Sequence, residues 1–252
     1  MSAPDLLWPA GLALLGAIAG SFLATIAIRW PQGRSAMRGR SACDACGRTL
    51  TGLDLVPLAS AAVMRWRCRT CGAQIDPRHW QIEAVAALVG LSAGLVAPGP
   101  LALAGAVFGW LLLVLAAIDA AEMWLPDELT LTLATGGVVT GLLLAPPSLI
   151  ERLIGGMAGF ASLWLIATGY KLLRGREGLG GGDPKLFGAI GLWLGWRMLP
   201  AVLLIAALVG LGVAAFAMLR GRDVAADTAL PLGTFLAIAA YPAWLVMIAS
   251  AS

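Results

Sequence analysis

Charge is what this sequence has least of. Asp, Glu, Lys and Arg make up 12% of its 252 residues, against roughly 25% in soluble globular domains. So little charge cannot coat a water-facing surface, and 60% hydrophobic residues point to a chain solvated by lipid. The net charge of +3 is too small to suggest a nucleic acid as partner. No Lys or Arg precedes the first apolar run, whereas Asp5 does. That run therefore lacks the basic flank of a cleaved signal peptide and is expected to stay as a membrane span. Cysteine is absent outside two Cys-x-x-Cys pairs.

What is present is a series of charge-free stretches. Leu6–Ile28 is 23 residues long, enough for a hydrocarbon core that needs about 20. Ala84–Ile118, 35 residues broken at Ala97-Pro98-Gly99-Pro100, is expected to form a helical hairpin. Leu129–Ile150, ending near Pro146-Pro147, then Leu153–Tyr170, Met198–Leu219 and Thr228 to the end are further spans. Leu186–Trp196 has only 11 residues, about 17 Å of helix. It crosses if Lys185 and Arg197 snorkel; otherwise it is re-entrant and reverses the last two spans. The expected fold is all-α, a polytopic bundle of about eight spans with a small zinc-ribbon-like loop domain. Its divisions are a first span over 1–28, a loop domain over 29–79 and a membrane bundle over 80–252.

Basic residues orient the eight-span version. With the amino terminus outside, 15 of 17 fall on the cytoplasmic side and only Arg152 and Arg197 outside, as the positive-inside rule requires. Nine of them lie between Arg29 and Arg78, so that loop dominates the count. Arg220 and Arg222 are the ones that favour a crossing by Leu186–Trp196.

The same loop holds Cys43-x-x-Cys46, then 21 residues, then Cys68-x-x-Cys71, each second cysteine followed by glycine (Gly47, Gly72). Glycine there lets the backbone turn sharply beneath the sulfurs. Four thiolates in paired knuckles suit a structural Zn²⁺, and a cytosolic location disfavours disulfides. Reversible dithiol chemistry and unligated thiols are the alternatives. His79 is nearby, but four cysteines complete a site without it, which leaves it as a residue at a helix start.

Carboxylates at the edges of spans are costly and draw functional suspicion. Asp119 follows the apolar run Leu111–Ile118, and Asp183 closes Gly178-Leu179-Gly180-Gly181-Gly182 on the same face. Two such acids sharing one proton around a water form an aspartic-protease dyad, and adjacent glycines let a substrate strand approach closely. Plainer readings stand beside this one. Asp183-Pro184 resembles a helix N-cap with proline at the first position, and Asp119 can simply snorkel. Glu122 and Asp127 compete as partners, while Asp127-Glu128 and Glu83 suit first-turn polar positions. The glycines form no P-loop, since no Gly-Lys-Ser/Thr follows, and no dinucleotide fingerprint, since no strand precedes.

Taken together these motifs resemble the bacterial type IV prepilin peptidases, a family of GxGD aspartic proteases. The resemblance runs through Gly20-Ser21-Phe22-Leu23, Arg29-Trp30-Pro31, both Cys-x-x-Cys pairs and Gln81-Ile82-Glu83. It continues through Ile118-Asp119, Leu125-Pro126-Asp127-Glu128-Leu129, Gly180-Gly181-Gly182-Asp183-Pro184-Lys185-Leu186 and Leu230–Ala237. It implies that Asp119 and Asp183 are catalytic, with Gly180, Gly182, Asp127 and Lys185 in support. It also implies cleavage of the leader of a prepilin or pseudopilin at the cytoplasmic face of the bacterial inner membrane. Many members then N-methylate the new terminus with S-adenosylmethionine, an activity linked to the cysteine loop. The chain departs from the family pattern at Ala24, Asp44, Leu232 and Thr234, and the first two fall in the amino-terminal module. A transporter, a membrane thiol-redox protein and a presenilin-like protease are the competing classes. The last expects a Pro-Ala-Leu signature in a late span, and none is found.

Overall fold

The computed structural model describes residues 3–37, 40–97, 99–143, 146–221 and 229–251. Arg38 and Arg222, used above to orient the spans, lie outside these residues, as do Pro98 and Thr228. Among the described residues there are helices and two isolated β-bridges. The helices are α1 (Ala3–Arg29), α2 (Ala59–Val63), α3 (Pro77–Val96), α4 (Pro100–Glu122), α5 (Asp127–Leu143), α6 (Leu149–Arg174), α7 (Asp183–Leu194), α8 (Leu199–Leu219) and α9 (Leu232–Ala251). Six of them, α1, α3, α4, α6, α8 and α9, are long and apolar enough to cross a membrane. With the shorter α5 and α7 they make the all-helical polytopic architecture expected from the sequence. On α8, Leu204, Leu208, Leu211 and Phe216 are exposed, a surface that only lipid solvates well. The chain divides into two compact units, Met1–Val114 and Leu115–Ser252, with the boundary inside α4.

In the first unit α1 and α3 run antiparallel in backbone contact. A Cβ on Gly16 would lie 2.2 Å from the Ala86 carbonyl oxygen, and one on Gly90 would lie 2.0 Å from that of Leu12. Gly20 and Gly94 meet Glu83 and Pro9 in the same way. Each helix thus carries two glycines four residues apart, the spacing that lets membrane helices pack by van der Waals contact and not by a hydrophobic drive that lipid cannot supply. The Trp110 indole N–H donates to the Ala86 carbonyl oxygen at 2.9 Å, tying the middle of α4 to this pair.

The second unit is built around α7. This helix has 12 residues, about 18 Å, well short of a hydrocarbon core of about 30 Å. Ten of the 12 are buried, because α5, α6 and α9 enclose it. Its antiparallel contact with α6 runs through glycine on both sides: Gly191 against the Gly155 carbonyl, and Gly159 against that of Phe187. The start of α7 and the start of α9 meet at one end of the unit, where both approach Asp119 (below). The chain therefore passes along α7 to the opposite end and returns through α8. A re-entrant α7 would have put the start of α9 at the other end, so the geometry agrees with the eight-helix path.

The fourth span ends before Pro146-Pro147, as expected, with α5 closing at Leu143; the fifth differs, beginning at Leu149 and not at Leu153. The reason is local. Pro146-Pro147 cannot continue a helix, and Ser148 and Glu151 form a capping box that starts α6. Charges at Glu151 and Arg152 therefore lie inside the helix. Nor does Arg152 sit in an external loop: it is 2% exposed. Its guanidinium donates to the carbonyls of Pro147 (3.0 Å), Gly137 (3.2 Å) and Leu192 (3.1 Å) and to Thr140 Oγ1 (3.0 Å). One side chain thus pins α5, α6 and the last turn of α7. Arg152→Leu strips partners from several buried carbonyls, each worth roughly 1–3 kcal/mol. Thermal unfolding of the solubilised protein should show a loss of about 3 kcal/mol, only partly restored in Arg152→Lys, because an ammonium cannot reproduce the planar fork.

Candidate functional site

Asp119 and Asp183 come together within the second unit. Asp119 lies one turn before the end of α4, and Asp183 is the first residue of α7. They are 5% and 6% exposed, and Asp183 feels the charge of Asp119. Both line a cavity of about 920 Å³, together with Met123, Trp124, Tyr170 and Gly178–Gly182. Asp183 is not the N-cap that Asp183-Pro184 suggested. Its Oδ2 accepts the N–H of Gly180 from behind at 3.1 Å, and α7 has no side-chain cap.

Beyond Gly180, the pair is held by Gly233 and Thr234, to which the sequence alone gave no role. The first turn of α9 presents free backbone N–H groups, as every helix N-terminus does, and here they meet carboxylates. The Thr234 N–H donates to Asp119 Oδ2 at 2.7 Å, while the Gly233 N–H faces the Asp183 carboxylate. Thr234 Oγ1 lies 3.0 Å from Asp119 Oδ2 and 3.1 Å from the Ala116 carbonyl oxygen. A hydroxyl has one proton to give, so it donates to Asp119 when that acid is charged and can turn to Ala116 when it is not. A Cβ at Gly233 would stand 3.0 Å from Asp119 Oδ2 and 2.9 Å from Leu125 Cδ1, so a side chain there displaces the acid. The only signal in the sequence was Leu232-Gly233-Thr234 beside a helix start, which has no chemistry until its partner is known.

The other sequence candidates divide. Gly180 donates to Asp183 as described. Gly182 packs against Leu125, where a Cβ would come within 2.8 Å. Asp127 and Lys185 form an ion pair with each other at 2.7 Å, linking the starts of α5 and α7 at the rim. Both are largely exposed, so the pair adds little stability. Glu122 is exposed. Glu83 belongs to the first unit, buried and accepting the Leu58 N–H at 2.9 Å, which a mere first-turn residue would not do.

The cysteines form a separate cluster in the first unit. The sulfurs of Cys43, Cys46, Cys68 and Cys71 all lie within 4.8 Å of one another. Cys43 and Cys71 are 3.9 Å apart, too far for a disulfide near 2.05 Å. A tetrahedral ion with bonds of about 2.3 Å to sulfur separates its ligands by about 3.8 Å, so the cluster fits one. The two knuckles repeat each other. Gly47 N–H donates to the Cys43 carbonyl and Gly72 N–H to that of Cys68, with φ of 71° and 69°, the left-handed turn that glycine allows. Each knuckle is closed by a bridge, Ala42 with Thr49 and Arg67 with Gln74. Backbone N–H groups of Cys71 and Thr70 bring the Cys68 thiol down to about 6. Cys71 is pushed up to about 11: the Ala73 amide lowers it, but burial and the neighbouring sulfurs outweigh that. Opposed shifts are what crowded thiols show when they compete for charge, and a bound cation removes the competition. His79 takes no part in the cluster. Elemental analysis of the purified protein should find one metal ion per chain. Cys68→Ser should lose it and unfold several degrees earlier, since ligand loss is folding-energy loss; an unaltered metal content would remove the site.

Comparison with known proteins adds sequence relatives. The model of the type IV leader peptidase family matches residues 106–215, and that of the bacterial peptidase A24 N-terminal domain matches residues 14–96. Three relatives are each named prepilin leader peptidase/N-methyltransferase. The one from Aeromonas hydrophila is 41% identical over 82% of this chain and 71% of its own. That from Burkholderia pseudomallei (strain 1026b) is 44% identical over 79% and 64%, and that from Dickeya chrysanthemi 38% over 92% and 90%. No solved structure matches. The first turn of α9, with Gly233 and Thr234, lies beyond the residues that either family model covers.

Proposed function

Because the chain belongs to the type IV leader peptidase family, we propose that it cleaves the leader of type IV prepilins or type II secretion pseudopilins and then N-methylates the new amino terminus, with Asp119 and Asp183 as its catalytic pair. The observation that carries this reading is the meeting of two buried acids, from α4 and α7, in one cavity under the amides of Gly233 and Thr234.

Hydrolysis by such a pair needs one acid ionised and one protonated. The ionised carboxylate takes a proton from water as its oxygen bonds to the peptide carbon, and the protonated one hands its proton to the carbonyl oxygen. Collapse of the tetrahedral intermediate breaks the C–N bond, and the amine leaves with a proton returned by the pair. Apparent titration steps belong to the two acids jointly. Thr234 and Gly180 hold the carboxylates in register, so they are positioning residues. Gly180 and Gly182 keep side chains out of the approach, and Asp127 with Lys185 buttresses its rim.

The cavity opens at the end of the unit where Lys171, Arg174, Arg176 and Lys185 cluster, which supports a cytoplasmic active site in the inner membrane. A substrate helix anchored in the bilayer meets the acids there, where its leader leaves lipid. Cys43, Cys46, Cys68 and Cys71 hold Zn²⁺ as a cross-link of the 29–79 loop and supply no chemistry to the acids. S-adenosylmethionine supplies the methyl group, which passes to the freed α-amine with loss of a proton and leaves S-adenosylhomocysteine.

Cleavage of a prepilin in proteoliposomes tests the pair. Asp119→Asn and Asp183→Asn should each reduce processing to background, and processing by both would end the hydrolase reading. Thr234→Val should lower kcat about tenfold or more, the worth of a hydrogen bond to a charged acceptor, with KM little changed. Thr234→Ser should restore it; a KM effect or failed rescue would make Thr234 merely structural.

A further inference from the structure

The first unit contains a cavity of about 440 Å³ between α1, the cysteine loop and the start of α3, within the roughly 300–1,000 Å³ of small-molecule sites. Four carboxylates line it. Asp44 pairs with Arg34 at 2.8 Å and Asp76 with Arg78 at 2.7 Å, while Asp54 pairs with Arg48 and also lies 3.3 Å from Arg69. Glu83 is different. It is 7% exposed, one oxygen takes the Leu58 N–H, and it has no ion pair among the described residues. Its charge reaches the His79 imidazole on the same cavity wall, but no Lys or Arg among the described residues pairs with it. A buried carboxylate so placed is costly to keep, and a cationic ligand offsets that cost.

The opposite chemistry is beside it. The indoles of Trp66 and Trp80 line the same cavity with ring centroids 5.1 Å apart. Trp66 is held at φ 60° and Arg65 at φ 50°, a backbone region that costs non-glycine residues roughly 1–3 kcal/mol and gathers at ligand clamps. The Ile75 N–H fixes it by donating to the Trp66 carbonyl at 2.8 Å. Arg29 also lines the cavity and has no ion pair among the described residues. Unpaired anion, aromatic faces and unpaired guanidinium together suit a zwitterion that carries an extra organic cation and a flat base.

We propose that this cavity binds S-adenosylmethionine, with Glu83 and the indoles taking the sulfonium and base and Arg29 the carboxylate. The inference rests on the methyltransferase part of the function proposed above. Sulfonium recognition by an indole face and a buried carboxylate follows the logic of quaternary ammonium cages, and a guanidinium is the usual partner of a carboxylate.

Equilibrium binding to the full chain in nanodiscs tests it, with S-adenosylmethionine and S-adenosylhomocysteine as the two probes. The second lacks the sulfonium charge. Glu83→Gln keeps an acceptor for Leu58 and should weaken S-adenosylmethionine roughly tenfold, the scale of a partly desolvated cation contact, with little effect on S-adenosylhomocysteine. Trp66→Ala should weaken both, and prepilin cleavage should persist in both variants as the check on folding. Unchanged binding in both variants overturns the site and leaves the methyltransferase reading standing. Equal weakening of both probes by Glu83→Gln makes Glu83 structural and overturns the recognition. An unsubstituted chain that still cleaves prepilin but binds neither probe overturns the site and the methyltransferase reading together.

Discussion

A side chain on Gly191 would begin 2.2 Å from the Gly155 carbonyl oxygen, and the second unit depends on there being none. Because α6 and α7 touch backbone to backbone, a helix of 12 residues can lie inside the bundle without presenting its ends to lipid. Its short length then becomes useful. Asp183 starts the helix beside Asp119, and the last turn, at Leu192, meets the Arg152 guanidinium. The positive charge is buried at the carboxyl end of α7, the sense that its dipole favours.

The acids need the opposite arrangement, and α9 supplies it. Buried carboxylates are tolerated when backbone N–H groups reach them, and a helix N-terminus offers such groups without a partner of its own. Gly233 and Thr234 offer adjacent N–H groups to different acids. One helix start therefore positions both carboxylates and couples them, while the glycines at 180–182 leave the approach free of side chains. The proposed catalytic pair is thus a junction of three helix ends, which is why it forms at the edge of a bundle and not at its middle.

The first unit solves a different problem, that of ordering a polar loop that has few apolar residues to bury. Four sulfurs gathered within 4.8 Å and two glycine-hinged knuckles do what a hydrophobic core does elsewhere. The buried Asp54 adds to this, taking the Thr51 N–H and hydroxyl and the Arg48 guanidinium on one oxygen. With the loop tied down, Trp66 and Trp80 are held against each other and Glu83 is closed off from water.

How much of this was legible follows from the kind of force involved. Helix existence and class came from hydropathy, because lipid leaves few alternatives to a helix for an apolar stretch of about 20 residues. The cysteine cluster was legible because ligand spacing is local. Asp119 and Asp183 stood out because charge beside an apolar run is costly wherever the chain goes. Arg152 misled for the same reason: charge was taken as a mark of solvent, whereas several carbonyls from separate helices satisfy it inside the protein.

By itself, then, the sequence determined an all-helical membrane chain, its cysteine knuckles and the two exceptional acids, since each depends on composition or on neighbours a few residues away. Tertiary structure alone decided that α7 passes through the bundle, that Gly233 and Thr234 serve the acids, and that Glu83 is buried beside two indoles. Those facts rest on contacts between distant segments, such as Thr234 with Asp119, whose strength depends on ångström-scale approach that no local pattern encodes.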